Sequence, residues 1–203
     1  MDYIEDAKNE IRNGWFKEHV IKSIEGEDGF QKVIWGIPGT NSYQVNYVLS
    51  GNMVFISGDL GVAAYSLTEG AKIERLGHYD LSYFTGKLAA TKSSKYNFNS
   101  KKAQTEIDEY FIDWCDVDDM SELPEAESKL YGELISETIN WSEPEHFSTA
   151  VYHIYQNTNL EWFDSEAASC ISNCGQQLSY HLIAYWVGLQ MIAELWDKDK
   201  KAS

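Results

Sequence analysis

The chain has 203 residues, 43% of them hydrophobic, and a formal net charge of −16. That length supports one sizeable core or two small subdomains sharing one. The charge argues against direct binding to nucleic acid or to an anionic membrane, since both polyanions would repel it.

Cys115, Cys170 and Cys174 are an odd, sparse set that fits a reducing cytoplasm better than a disulfide framework. Residues 1–12 are charged and amphipathic and lack an apolar leader segment, so no secretory signal is expected. The most apolar stretch, 178–196, contains Ser179, His181, Gln190 and Glu194, which excludes a membrane span.

In chain order, Asp2 to Phe16 reads as a leading helix with Ile4, Ala7, Ile11 and Trp15 on one side. From His19 the period changes to two. Val20 and Ile24, then Val33 and Trp35, read as strands around a Gly26-Glu27-Asp28-Gly29 turn. Tyr43, Val45, Tyr47 and Leu49 alternate, Met53 to Ser57 runs back, and Leu60 to Leu67 continues after Gly58-Asp59. This predicts an antiparallel β-meander of four to five strands.

After Ile73 the pattern is helical to the end. Asp80 is placed to cap a helix bearing Leu81, Phe84, Leu88 and Ala89, and Ser100 to cap the next. Ser121 precedes a helix to about Ile139, Ser142 to Glu145 has a capping-box arrangement, and Asp164 or Ser165 opens a segment that Gly175 breaks. The last helix carries Leu178, Leu182, Tyr185, Leu189, Ile192 and Trp196 at heptad spacing. Ile183, Trp186, Val187 and Ala193 widen that seam, which favours a core helix; the seam alone also fits a homodimer contact through the C-terminal helix. The expected fold is α+β, with residues 1–79 as helix plus sheet and 80–203 as a helical acidic region packed on the sheet as one domain.

The charge is not spread evenly. Residues 106–166 hold seventeen Asp and Glu against one base, Lys129, while the fifteen acids and fifteen bases elsewhere cancel. Ile107, Tyr110, Phe111 and Trp114 mark an apolar helix face there, so the block is folded and not an acidic tail. Beside that face stand Glu106, Glu109, Asp113 and Asp116, roughly 5 Å apart along the axis. Like charges at such spacing cost a helix a few tenths of a kcal/mol per pair. Asp118, Asp119, Glu122 and Glu125 extend the run. A solvated face is one reading. The sharper one is a folded imitation of a line of phosphates.

Catalytic signatures are weak. Cys170 and Cys174 lie one turn apart, with His181 beyond, yet no clear fourth zinc ligand appears. His19, His78, His146, His153 and His181 are scattered, and no serine or cysteine sits in a nucleophile context. Gly58-Asp59-Leu60-Gly61 is flanked by strand pattern on both sides, which suits a hairpin turn and not a phosphate loop. The carboxylates lack the lysine or histidine partners that metal-dependent phosphoryl chemistry recruits. No cofactor is expected.

Ser42-Tyr43, then Met53 to Gly61, then Asp80-Leu81-Ser82-Tyr83-Phe84 resemble a pattern in small uncharacterised phage and prophage proteins, over about residues 40–90. The resemblance carries no catalytic residues. It implies a phage-encoded accessory protein acting in the bacterial host cytoplasm. Phages use small acidic proteins, including anti-CRISPR and anti-restriction proteins, to occlude nucleic-acid surfaces of host defence machines, and the analogy extends to this chain.

The expected function is therefore non-enzymatic: an inhibitor whose acidic face binds a basic, nucleic-acid-binding host protein. Glu106, Glu109, Asp113, Asp116, Asp118, Asp119, Glu122 and Glu125 supply the charge. Trp114 and Trp141 are the candidate anchors, since Trp is favoured at interface hot spots. An immunity-type protein neutralising a basic toxin, or a metal-dependent enzyme acting on nucleotides, are the alternatives.

Overall fold

The two-residue alternation that begins at Val20 folds into a six-stranded antiparallel sheet. The computed structural model describes residues 3–27 and 29–202. Its strands are β1 (Val20–Glu27), β2 (Phe30–Gly36), β3 (Val45–Ser50), β4 (Met53–Gly58), β5 (Ala63–Ser66) and β6 (Leu88–Thr91), each paired with the next. Because successive side chains point to opposite faces, one row of partners, Val33, Tyr47, Ile56 and Ala63, is buried. The adjacent row runs through Lys32, Val48, Phe55 and Ala64, and Phe55 is 44% exposed.

The chain divides into two units, one formed by residues 1–95 and 179–203, the other by residues 96–178. In the first, α1 (Tyr3–Glu10) runs into a π-helical turn at Ile11–Trp15, followed later by α2 (Ile73–Leu76) and α3 (Leu81–Gly86). The last helix of the chain, α8 (Tyr180–Ala202), also belongs to this unit. Leu182, Tyr185, Leu189 and Ile192 are buried within it. The Tyr47 hydroxyl donates to the Tyr185 carbonyl (3.1 Å), and the Tyr185 hydroxyl donates to the Leu60 carbonyl (2.6 Å). The heptad seam thus forms the core against the sheet.

The second unit begins and ends in a short ribbon, β7 (Tyr96–Phe98) paired with β8 (Gln176–Leu178). Between them lie α4 (Ser100–Cys115), α5 (Glu125–Asn140), α6 (Pro144–Asn157) and α7 (Ser165–Ser172). Ile107, Phe111, Leu134, Phe147, Val151 and Ile171 form a core of their own. The helices α4 and α5 run antiparallel, pinned by Gln104 to Thr138 (2.9 Å) and by the Tyr131 hydroxyl to Asp108 (2.8 Å).

The chain is an α+β protein, with an N-terminal antiparallel sheet and a mostly helical remainder. The sheet has six strands, not four or five. Leu88 and Ala89 lie in β6 and not on the helix that Asp80 caps; that helix ends at Gly86. The division falls after Lys95 rather than after residue 79, because β6 completes the sheet and α8 returns to it. Tyr43 precedes β3 with φ 54. Asn99, not Ser100, caps α4 by accepting from the Lys102 amide. The Ser142–Glu145 capping box does not form; Glu143 precedes α6 without a side-chain cap. Leu178 ends β8 and is not part of the last helix. Asp164 caps α7 as expected, accepting from the Glu166 and Ala167 amides. Asp2 of the leading helix and Asp28 of the first turn lie outside the described residues. No helix among the described residues is long and apolar enough to cross a membrane.

The glycine motif is a turn with strand on both sides, from Gly58 at the end of β4 to Ala63 at the start of β5. Its Leu60 carbonyl is taken by Tyr185.

Candidate functional site

The charge segregation follows the structural division. Residues 96–178 contain seventeen acids and three lysines, Lys101, Lys102 and Lys129, for a net of −14. The other unit contains fifteen acids and thirteen bases, for a net of −2. An 83-residue body with so few bases neutralises little of its own field.

Most of the expected acidic residues lie together. Glu109 and Asp113 are exposed on α4. Asp116 ends that helix in the left-handed region, φ 51 and ψ 49, and turns the chain. Asp118, Asp119, Glu122 and Glu125 follow through the connection into α5, all exposed. Some also hold the connection's shape. Asp119 accepts from the Ser121 amide (2.8 Å), and hydrogen bonding from Ser121 holds its carboxyl below the usual range. The Asp118 amide donates to Glu122 (3.2 Å).

Glu106 differs from the rest of the row. It is half-buried, pairs with Lys102 at 3.0 Å, and accepts from the buried Gly175 amide at 2.7 Å. Lys102 in turn donates to the Gln176 carbonyl (2.8 Å). Glu106 therefore fastens the turn between α7 and β8 to α4. Glu106→Ala is expected to lower stability by about 1–3 kcal/mol by leaving that amide short of a partner. Glu109→Ala, one turn on, should change it by less than about 0.5 kcal/mol. Urea denaturation of the two variants checks the contrast.

The two expected tryptophan anchors separate. Trp114 is half-buried at the end of α4, stacked on Tyr110 (centroids 4.7 Å) and 5.5 Å from Trp162. Trp141, 40% exposed, follows the far end of α5, where its indole donates to Glu137 (2.6 Å) and its ring meets His146. The sixteen residues of α5 put roughly 24 Å between that position and Glu125. Trp114 belongs with the acidic cluster; Trp141 does not.

Between α4 and the start of α7 runs a groove that no motif announced. It consists of two adjoining hollows of about 410 and 350 Å³ that share Tyr110 and Cys170. Glu109 and Asp113 stand on one side, Asp164 and Glu166 on the other, with Tyr110, Trp114 and Trp162 among its lining. Burial, then the neighbouring thiols and Glu106, raise the Tyr110 phenol. The i, i+4 spacing of Tyr110 and Trp114 was visible in sequence. Trp162 gives no such local signal, since it lies in the connection between α6 and α7 and meets Trp114 of α4 only in the fold.

The Cys174 thiol is a poor nucleophile. Burial, assisted by Glu106, pushes Cys174 up to about 12. Its thiol donates to the Cys170 carbonyl (3.6 Å). His181 lies in the other unit. Among the described residues no group of three or more His, Cys, Asp or Glu is arranged to hold a metal ion. His19 is buried, its Nε2 bonded to the Tyr43 carbonyl (3.1 Å), and burial lowers its pKa.

Comparison with family models, curated proteins and solved structures finds no match to this chain.

Proposed function

We propose that residues 96–178 are an acidic module that binds a basic, nucleic-acid-binding surface of a host defence protein and stands in for the nucleic acid. The observation that carries this is the net of −14 on one folded body, with Glu109, Asp113, Asp116, Asp118, Asp119, Glu122 and Glu125 exposed at one end of its α4–α5 pair. Carboxylates on α4 follow one another at roughly 5 Å of axis. That is the same order as the ~3.4 Å of helix axis per phosphate along one DNA strand. A folded array loses less ordering entropy on binding than an acidic tail does. The setting is the bacterial cytoplasm, and the chain acts by binding, without chemistry of its own.

The test is affinity capture from host lysate with nuclease present. Wild type is compared with a variant carrying Glu109→Gln, Asp113→Asn, Asp116→Asn and Asp118→Asn; Glu106 is left intact because it holds the fold. Wild type should retain a basic nucleic-acid-binding protein at 0.1 M salt, and the variant should lose at least about tenfold of the captured amount. Equal capture by both would place the contact elsewhere. Capture of a basic secreted toxin in place of a defence protein would favour the immunity-type reading, which the same charge pattern fits.

A further inference from the structure

The groove between α4 and α7 combines two features that the exposed acidic cluster lacks: concavity and aromatic lining. Its two hollows, about 410 and 350 Å³, adjoin at Tyr110 and Cys170, which line both, and are of the size that admits a bound group. Trp114 contacts both Tyr110 and Trp162, at 4.7 and 5.5 Å between ring centroids. The carboxylates come from both helices: Glu109 and Asp113 of α4 line one hollow, and Glu166 of α7 lines the other.

Among the described residues, no cation is placed there. Elsewhere the protein places lysines over aromatic rings: Lys8 over Trp186, Lys87 over Tyr83 and Lys200 over Trp196, at 5.0 to 5.2 Å. Among the described residues none lies over Tyr110, Trp114 or Trp162, and the side chains of Glu109, Asp113 and Glu166 make no ion pair. The Lys102 ammonium, one turn before Glu106 on α4, is held by Glu106 and the Gln176 carbonyl. Among the described residues, aromatic rings and carboxylates thus line these adjoining hollows without a complementary charge.

We propose that this groove receives an arginine side chain of the basic partner, with the guanidinium against the Tyr110–Trp114–Trp162 aromatics and between the carboxylates of Glu109, Asp113 and Glu166. This rests on the acidic-module reading and names what that module selects. The planar guanidinium stacks on aromatic faces, bonds carboxylates through two parallel N–H groups, and is less strongly hydrated than an ammonium. A lysine matches the charge but not the plane. Surface charge alone attracts both equally, so selection for arginine is the signature of the groove.

The experiment is calorimetric titration of the full chain with nona-arginine and nona-lysine peptides at 0.1 M salt. Two double variants of equal charge change are compared. Asp113→Asn/Glu166→Gln removes one carboxylate from each side of the groove, and Glu133→Gln/Glu143→Gln removes two exposed carboxylates outside it. The arginine peptide should bind at least about tenfold more tightly than the lysine peptide, the sum of stacking and bidentate pairing. The groove double should lose at least about tenfold for arginine, and the outer double less than about threefold. Trp114→Leu should erase the preference for arginine; its circular dichroism is read alongside, and the surface doubles test the idea even if this variant unfolds. Equal affinity for both peptides, with equal losses in both doubles, would overturn the groove while leaving the acidic module intact. No binding of either peptide would overturn both.

Discussion

Gly58→Ala is expected to destabilise the sheet-bearing unit by at least about 3 kcal/mol, through backbone strain and steric overlap together. Gly58 ends β4 with φ 137, a conformation that L side chains rarely adopt. An added Cβ would lie 2.1 Å from the Gln44 carbonyl oxygen and 3.2 Å from the Val45 Cα. Both are backbone atoms of the strand next door, so no rotamer change relieves the contact. The same Gln44 oxygen accepts from the Asp59 amide (3.0 Å), and Gly58 pairs with Val45 across β3 and β4. Relief therefore breaks the register at the start of β3. Gly51→Ala is the control. Its φ is 58, yet nothing lies within 4 Å of the added Cβ. It should cost about 1 kcal/mol from conformation alone. Urea midpoints of the two variants decide the point, and equal losses would refute the steric account.

The second large effect is at Gly188, inside α8. In an ordinary helix interior, glycine to alanine gains roughly 0.5–1 kcal/mol. Here a Cβ would lie 2.2 Å from the Tyr47 hydroxyl oxygen and 3.2 Å from its Cζ. Tyr47 is fully buried, and its hydroxyl donates to the Tyr185 carbonyl one helical turn earlier. The helix therefore rests on the sheet with room for a hydrogen atom and no more. Gly188→Ala should cost about 2 kcal/mol or more in place of the usual gain. In a Tyr47→Phe background the oxygen is absent, and the same substitution should become nearly neutral. The coupling between the two sites is then about 2 kcal/mol, measurable as a double-mutant cycle. An unchanged cost in both backgrounds would show that the tyrosine oxygen is not the obstacle.

These two glycines also show which parts of the fold could be read from the residues alone. Gly58 was legible, because it sits between two runs of alternating apolar residues and only a turn reconciles them. Gly188 was not, because its reason is a tyrosine 141 positions earlier. Strand β6 was hidden for a related cause. Leu88-Ala89-Ala90-Thr91 has three good helix formers and follows a capped helix, so local preference points the wrong way. Pairing with β5 overrides it. The three-residue strands β7 and β8 pair Tyr96 with Leu178, across the whole second unit, and short-range pattern cannot report such a contact.

The charged block was legible for the simplest reason: counting acids needs no fold. Which acids face solvent did need it. Glu106 reads as the first member of an acidic row, yet Gly175 and Lys102 claim it. Trp141 looks like an anchor by residue type but follows the far end of α5 from Glu125. Trp162 joins Tyr110 and Trp114 only through the packing of their separate elements.

The central claim is that the acidic module takes the place of nucleic acid on its partner. The direct measurement is the partner's apparent Kd for duplex DNA or RNA, taken at fixed salt with increasing amounts of this protein. Simple competition predicts that the apparent Kd rises in proportion to the protein added. The variant with Glu109→Gln, Asp113→Asn, Asp116→Asn and Asp118→Asn should leave it within about twofold of its starting value. A ternary complex of partner, nucleic acid and this protein, with the Kd unmoved, would contradict the claim.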